Sequence, residues 1–280
     1  MLAPALAVLA AVAGWPLLRT LWVSVTDAEL GAGGHFVGLA NYAVLAADPE
    51  WWRALRNTAV FTVVSVALEL VLGLLVALVL DQRFHGRGAL RAAVLVPWAI
   101  PTVVAAQMWR WMYNDLYGVV NDLALRLGLI GEPVAWLVGE GTAMAAVIVA
   151  DAWKATPFVA LVLLAGLQTI PGELYEAARV DGAGRLGRFF HVTLPLLRPA
   201  IAVAVVFRTL DALRVFDVIY VMLGNAQATA TVSIYARQQL VAFQDAGLGS
   251  AASVAVFVLV GMVSVGCIAA LRPGFAGGGR

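Results

Sequence analysis

The chain has 280 residues, of which 62% are hydrophobic and only 12% charged, and its mean hydropathy is +0.90. Because soluble domains carry about 25% charged residues, this composition predicts a protein embedded in a lipid bilayer. A net charge of +1 without a long basic run excludes the electrostatic footprint of a nucleic-acid-binding protein. The single cysteine, Cys267, excludes an internal disulfide framework and a cysteine-rich metal site.

Six segments are long and apolar enough to cross a bilayer as helices, since a span needs about 20 largely apolar residues. In chain order they are 2–25, 57–80, 90–112, 142–167, 197–223 and 251–271. The predicted fold class is an all-α membrane protein with six transmembrane helices in a single domain, residues 1–280. The first segment has an alternative as a cleaved signal peptide, because Ala11-Val12-Ala13 has the small residues of a cleavage site, although no basic region precedes it.

The loops between these segments alternate in charge. Segments 81–91, 172–198 and the tail after 271 contain nine arginines, whereas the loops on the other side contain four arginines and nine acidic residues. The positive-inside rule therefore predicts that both termini and the 172–198 loop are cytoplasmic. The external loops 27–56 and 113–141 are long enough to dock an extracytoplasmic partner.

Several kinds of catalytic site have no support in the sequence. The only lysine, Lys154, is not preceded by a glycine-rich loop, which excludes a P-loop for ATP. His35, His85 and His191 lack the spacing of metal ligands, and no G-x-S-x-G motif occurs. We therefore expect a chain that is not an enzyme and that holds no metal or cofactor of its own.

The polar stretch EAARVDGAGRLGRFFHVTLP, residues 176–195, interrupts the apolar pattern. Helix formers, then glycines, then apolar residues predict two short helices joined by a turn along the cytoplasmic face, bracketed by Pro171 and Pro195. A solvated loop is the alternative. Apolar residues such as Phe189 and Phe190 favour a contact with a partner. The nearby arginines have lipid phosphates as alternative ligands.

The spacing of Glu176-Ala177-Ala178, Gly182, Val192 and Leu194-Pro195 resembles the EAA signature of permeases in ATP-binding-cassette importers. The stretches QTIPGELYEAARVDGAG, PWAIPTVVAAQMWRWMYN and DALRVFDVIYVM resemble the larger sugar permeases of the maltose and trehalose type, so the likeness covers nearly the whole chain. The resemblance implies that the 172–195 loop forms coupling helices that seat on an ATPase subunit. The coupling residues that it implies are Glu176, Ala177, Ala178, Asp181, Gly182, Ala183, Leu194 and Pro195.

Ionisable residues inside predicted spans are costly and tend to face a bundle interior or a water-filled cavity. In the fourth span, Asp151, Lys154 and Phe158 share one helical face, and in the fifth span Arg208 and Asp211 do so. One interpretation is internal pairing, of Asp151 with Lys154, Arg208 with Asp211 and Arg214 with Asp217. The other is a role in the solute path, with Phe158 stacking on a sugar ring.

The resemblance favours the solute path and implies these substrate-path residues: Asp151, Lys154, Ala155, Phe158, Arg208, Asp211, Ala212, Arg214 and Val215. It further implies a multi-pass permease of the bacterial inner membrane that imports a di- or oligosaccharide such as trehalose or maltose. Its partners would be a second permease, two ATPase subunits that bind ATP and magnesium, and an extracytoplasmic solute-binding protein.

Two alternative functions remain at this point. One is a proton-coupled secondary transporter that uses Asp151, Asp211 or Asp217 as a relay. The other is an importer permease for a different solute, such as a glycerol phosphodiester, a polyol or an amino acid. Arg208 and Arg214 make an anionic solute a specific possibility within that second class.

Overall fold

The computed structural model describes residues 4, 8, 10–82 and 84–275, and this part of the chain is helical, with two isolated β-bridges and no strand. We number the α-helices in chain order. They are α1 (Trp15–Val23), α2 (Ala40–Ala47), α3 (Pro49–Asp81), α4 (Arg87–Ala99), α5 (Thr102–Met112), α6 (Val119–Arg126), α7 (Glu140–Gln168), α8 (Gly172–Val180), α9 (Arg185–Arg188), α10 (Leu194–Ala212), α11 (Asp217–Leu223), α12 (Val232–Arg237) and α13 (Ala246–Phe275).

Four helical stretches in the described residues are long and apolar enough to cross a bilayer. They are α3, Gly141–Gln168 of α7, the continuous stretch Arg185–Ala212, and Ala246–Cys267 of α13. Helices α4 and α5 add a fifth span if they count together. The first predicted span, 2–25, lies partly outside the described residues. Its described part contains a π-helical turn, Ala10–Gly14, followed by α1. The count of six spans therefore stays a prediction.

Two predicted spans are not single helices. The segment 90–112 is divided between α4 and α5, whose axes differ by 92°. Pro101 lies in the break, and a residue before proline is driven out of helical geometry, as the extended Ile100 (φ −73°, ψ 132°) shows. The segment 197–223 is also divided, because α10 ends at Ala212 and α11 begins only at Asp217.

The centre of the fold is the packing of α3 against α7. It depends on a glycine: a Cβ at Gly73 of α3 would lie 2.6 Å from Val159 Cγ1 of α7. Helix α10 approaches α7 in the same way at Gly166, where a Cβ would lie 2.5 Å from the Cβ of Ala200. Small residues at these crossings let the helix axes come close, as is usual in membrane bundles.

On one side of this bundle, α8, α9 and the π-helical turn Phe189–Thr193 connect α7 to α10. On the other, the start of α12 and the residues before it pack beside α3 through polar contacts. Asn57 Nδ2 donates to the carbonyls of Ala228 (2.9 Å) and Ala230 (3.0 Å). Thr231 Oγ1 donates to Val215 O at 3.2 Å, which fixes the turn between α10 and α11. That turn forms one wall of a polar cavity.

Candidate functional site: a charged pocket between spanning helices

A cavity of about 300 Å³ lies where the break between α4 and α5 faces α7, α10 and the turn after α10. We call it the central pocket. Its lining combines charged and aromatic side chains with small apolar ones. The lining residues are Phe61, Trp98, Thr102, Asp151, Lys154, Ala155, Arg208, Asp211, Ala212, Arg214, Val215, Phe216, Asp217 and Val218.

Arg208 is the centre of the charge arrangement in this pocket. Its guanidinium is buried and contacts three carboxylates on three helices. Glu69 of α3 accepts in bidentate fashion, with Nε–Oε2 at 2.5 Å and Nη2–Oε1 at 2.8 Å. Asp151 of α7 accepts from Nη2 at 3.0 Å, and Asp211, one turn along α10, accepts from Nη1 at 2.5 Å. Burying these charges is tolerable because each is paired and hydrogen-bonded.

Glu69 is the functional candidate that the sequence reasoning missed. It lies within the predicted span 57–80 and its residue is 0% exposed, whereas Asp211 retains a side-chain exposure of 68%. The signal was available, since an acidic residue inside an apolar helix requires a buried partner by the same rule that selected Asp151. Its partner was not available, because Arg208 lies 139 residues away in the chain.

Two of the three predicted ion pairs are wrong. Lys154 does not pair with Asp151. Its Nζ donates to the carbonyl of Ile100 at 2.6 Å and to that of Trp98 at 3.5 Å, at the break between α4 and α5. Carbonyls at the end of a helix lack N–H partners within it, so an ammonium group is a suitable donor there. Asp151 pairs with Arg208 instead.

The third pair, Arg214 with Asp217, is also absent. Arg214 Nε donates to the carbonyl of Leu210 at 3.3 Å, and Asp217 opens α11. Both side chains line the central pocket without pairing with each other. The predicted pair of Arg208 with Asp211 is present.

The structure brings together eight of the nine predicted substrate-path residues and leaves one out. Ala155, Ala212 and Val215 are buried in the pocket wall beside the charged members of the set. Phe158 is not part of the lining. It packs edge-on against Phe207, with ring centroids 6.2 Å apart, so the expected stacking of Phe158 on a sugar is not supported. The aromatic side chains that do line the pocket are Phe61, Trp98 and Phe216.

The predicted coupling residues lie in and beside α8, which ends in a tight turn. Glu176 and Ala177 are exposed on α8, and Ala178 is half-buried. Gly182 has a φ of +81°, a left-handed conformation that favours glycine. The turn is closed by backbone bonds, from Asp181 N to Ala177 O and from Ala183 N to Ala178 O.

The side chain of Asp181 was expected to brace this turn. It is exposed and makes no hydrogen bond within the described residues. Tyr175 instead ties α8 to the start of the next span through its hydroxyl, 3.1 Å from Thr193 Oγ1. Leu194 and Pro195 open α10 directly after the π-helical turn Phe189–Thr193. We call residues 172–195, from α8 to the start of α10, the coupling loop.

Residues 69–274 match the family described as the binding-protein-dependent transport system inner membrane component. This match covers well over half of the chain. The chain belongs to this family. The matched region of the permease includes Glu69, the central pocket and the coupling loop.

Relatives with named solutes resemble the permease along most of its length. It is 48% identical to a trehalose/maltose transport system permease of Thermococcus litoralis, over 88% of this chain and 83% of the relative. It is 41% identical to a sulfoquinovosyl glycerol transport system permease of Agrobacterium fabrum, over 92% and 85%. A trehalose transport system permease of Mycobacterium tuberculosis is 39% identical, over 100% and 91%.

Solved structures confirm the helical fold. A chain of a bacterial importer of the acidic polysaccharide alginate aligns with the permease at a TM-score of 0.86 and 23% identity, covering 98% of this chain and 94% of that one. A second structure of an alginate transporter, in complex with a periplasmic protein bound to an alginate pentasaccharide, aligns at 0.83 and 24% identity, covering 95% and 91%. At this level of identity the likeness shows the fold alone.

Proposed function

We propose that the permease forms half of the path by which an ATP-binding-cassette importer carries a sugar across the inner membrane. The observation that carries this proposal is the central pocket, in which polar side chains of three spanning helices converge on about 300 Å³. This volume is at the lower end of the range of about 300–1,000 Å³ for small-molecule sites. The similarity to trehalose and trehalose/maltose permeases supports a di- or oligosaccharide as the solute.

The chemistry of the pocket suits a sugar. Asp211 uses one carboxylate oxygen on Arg208 and keeps the other for a ligand hydroxyl. Trp98 lies at the edge of the break between α4 and α5 and is 55% exposed, so its ring can stack on the apolar face of a sugar. Trp98 takes the role that the sequence suggested for Phe158.

The coupling loop is the proposed contact with the ATPase subunits, which bind ATP and magnesium. Glu176 offers a carboxylate to a basic partner residue, and Ala177 and Ala178 allow close approach. Large apolar side chains of this loop are exposed, including Val180 at 87% and Leu186 at 74%, and such surface is typical of a docking site. A second permease and an extracytoplasmic solute-binding protein complete the proposed complex, with both termini of this chain in the cytoplasm.

The solute path is tested with the complete importer in proteoliposomes, by measuring ATP-driven uptake of labelled trehalose and maltose. We expect Trp98→Ala to reduce uptake several-fold, because stacking on an aromatic ring is worth about 0.5–1.5 kcal/mol. The control is Trp111→Ala, on the same broken span but outside the pocket lining and 63% exposed. Equal uptake by both variants would contradict the assignment of the pocket. Uptake by the permease alone under a proton gradient would favour a secondary transporter.

The coupling loop is tested separately. We expect Glu176→Ala to lower both co-purification of the ATPase and ATP hydrolysis stimulated by the loaded binding protein. Glu132→Ala, an exposed glutamate on the predicted external side, serves as the matched control. If ATPase recovery and stimulated hydrolysis are the same in both variants, Glu176 is not part of the contact.

A further inference from the structure

The guanidinium of Arg208 has almost no hydrogen-bonding capacity left for a ligand. Four of its donor contacts go to Glu69, Asp151 and Asp211, and an arginine has five N–H groups. Lys154 is similarly engaged, since its ammonium donates to the carbonyls of Ile100 and Trp98. The pocket therefore offers a ligand few donors from its buried cations.

Its capacity to accept hydrogen bonds is largely unused. The Oδ1 atom of Asp211 makes no hydrogen bond within the described residues, and the same holds for both carboxylate oxygens of Asp217. Asp211 is also well exposed to the cavity. An acceptor-rich wall is matched by a ligand that brings donors, and the hydroxyl groups of an uncharged sugar or polyol are such donors.

The charge balance points the same way. Three acidic residues and three basic residues line the pocket, so the lining alone is neutral. Glu69 lies behind the lining in a bidentate contact with the guanidinium of Arg208, which is the geometry of an ionised carboxylate. As a carboxylate it adds one negative charge that the lining does not balance. Inside a protein such a charge is screened less than in water and acts on a ligand several ångströms away.

We propose that Glu69 is a specificity-determining residue: by occupying Arg208, it makes the central pocket negative and acceptor-rich, so that the pocket admits uncharged polyhydroxylated solutes and repels anionic ones. This inference rests on the proposed function, because it assumes that solute passes through this pocket. It goes beyond the comparisons, since a relative in fold belongs to an importer of an acidic polysaccharide. It also answers the Arg208 part of the expectation that Arg208 and Arg214 mark an anionic solute, because Arg208 is already neutralised by Glu69.

The sign of the potential in the pocket can be measured without knowing the solute. In the complete importer, with Cys267 replaced by serine, Thr102→Cys places a thiol in the pocket lining. Its rates of reaction are measured with a cationic thiosulfonate (the ethyltrimethylammonium reagent) and with an anionic one (the ethylsulfonate reagent). The rates of the same importer without the Thr102 substitution are subtracted. The rate with the cationic reagent is then divided by the rate with the anionic reagent, and this ratio is normalised to that of a free thiol in solution.

With Glu69 present we expect the cationic reagent to be favoured over the anionic one, relative to the free thiol. Glu69→Gln removes one negative charge at nearly constant shape, and we expect the normalised ratio to fall about 10-fold. Glu69→Asp retains the charge and should retain the ratio. Glu173→Gln, an exposed glutamate of α8, controls for remote charge and should leave the ratio unchanged.

Three results would overturn the proposal: a normalised ratio at or below one with Glu69 present, a ratio unaffected by Glu69→Gln, or a thiol that reacts with neither reagent. If the Glu69→Gln importer does not assemble, Asp211→Asn replaces it, because Asp211 is exposed and its loss also removes one pocket charge. Failure of trehalose uptake with an intact charge ratio would count against the proposed sugar. A reversed ratio with normal uptake would count against the inference alone.

Discussion

Replacing Lys154 with methionine would remove the ammonium group that holds the break between α4 and α5, while keeping an unbranched side chain of similar length. The ammonium lies 2.6 Å from Ile100 O and 3.5 Å from Trp98 O. A hydrogen bond to a charged group contributes about 1.5–3 kcal/mol. Because each 1.4 kcal/mol corresponds to a factor of 10, opening at the break should become about 10- to 150-fold more frequent.

Hydrogen exchange followed by mass spectrometry measures this effect in the assembled importer. We expect peptides covering residues 98–106 to exchange faster by about that factor in Lys154→Met. Peptides from the α3–α7 crossing at Gly73 should keep their rates, because Lys154 makes no hydrogen bond to that region. Lys154→Arg, which retains a charged donor, should restore most of the protection.

Unchanged exchange over 98–106 in Lys154→Met would refute the assignment of Lys154 as the group that stabilises the break. An equal loss of protection in the methionine and arginine variants would show that side-chain shape, and not the donated hydrogen bonds, is what matters. Faster exchange throughout α7 would show instead that the substitution destabilises the helix that carries Lys154.

Three further predictions concern packing, the coupling loop and pH. Gly73→Ala should lower the free energy of unfolding by about 1–3 kcal/mol, because its Cβ would lie 2.6 Å from Val159 Cγ1. The control is Gly261→Ala, whose Cβ meets nothing within 4 Å and which should leave thermal unfolding unchanged. Gly182→Ala should lower the free energy of unfolding by about 1 kcal/mol, because φ is +81° there, and should reduce stimulated ATP hydrolysis. The control is Gly187→Ala, whose Cβ meets only Ala183 Cβ at 3.6 Å and which should have neither effect. Tyr235 donates to Asp48 Oδ2 at 2.5 Å, and burial followed by this hydrogen bond raises the pKa of Tyr235 above its ordinary value of 10.0. The stability that this neutral tyrosine contributes is complete below pH 10 and is lost as pH rises further. The free energy of unfolding should therefore fall more steeply above pH 10 in the parent than in Tyr235→Phe. Equal pH profiles of the parent and Tyr235→Phe would contradict the last expectation. A control glycine substitution as damaging as its test substitution would contradict the other two.

Hydropathy and local spacing were sufficient for the all-helical membrane fold and for the short helices joined by a turn in residues 172–195. A bilayer requires each span to satisfy its own backbone groups, so a long apolar segment is sufficient to predict a helix. The turn at Gly182 is equally local, because glycine is the residue that adopts a positive φ without strain. The pair of Arg208 with Asp211 follows from their separation of three residues on one helix face.

Only the tertiary structure decided which buried charges meet. Periodicity identifies the face that a side chain occupies but not the neighbouring helix that it faces. The planar guanidinium of Arg208 has several donors, and it binds Glu69, 139 residues away, in bidentate fashion. Lys154 was nearer in sequence to Asp151, yet it binds the carbonyls that the Pro101 break leaves without helical donors. These two sets of contacts depend on how α3, α4, α7 and α10 pack together. They determine which charged groups of the central pocket remain available to a ligand.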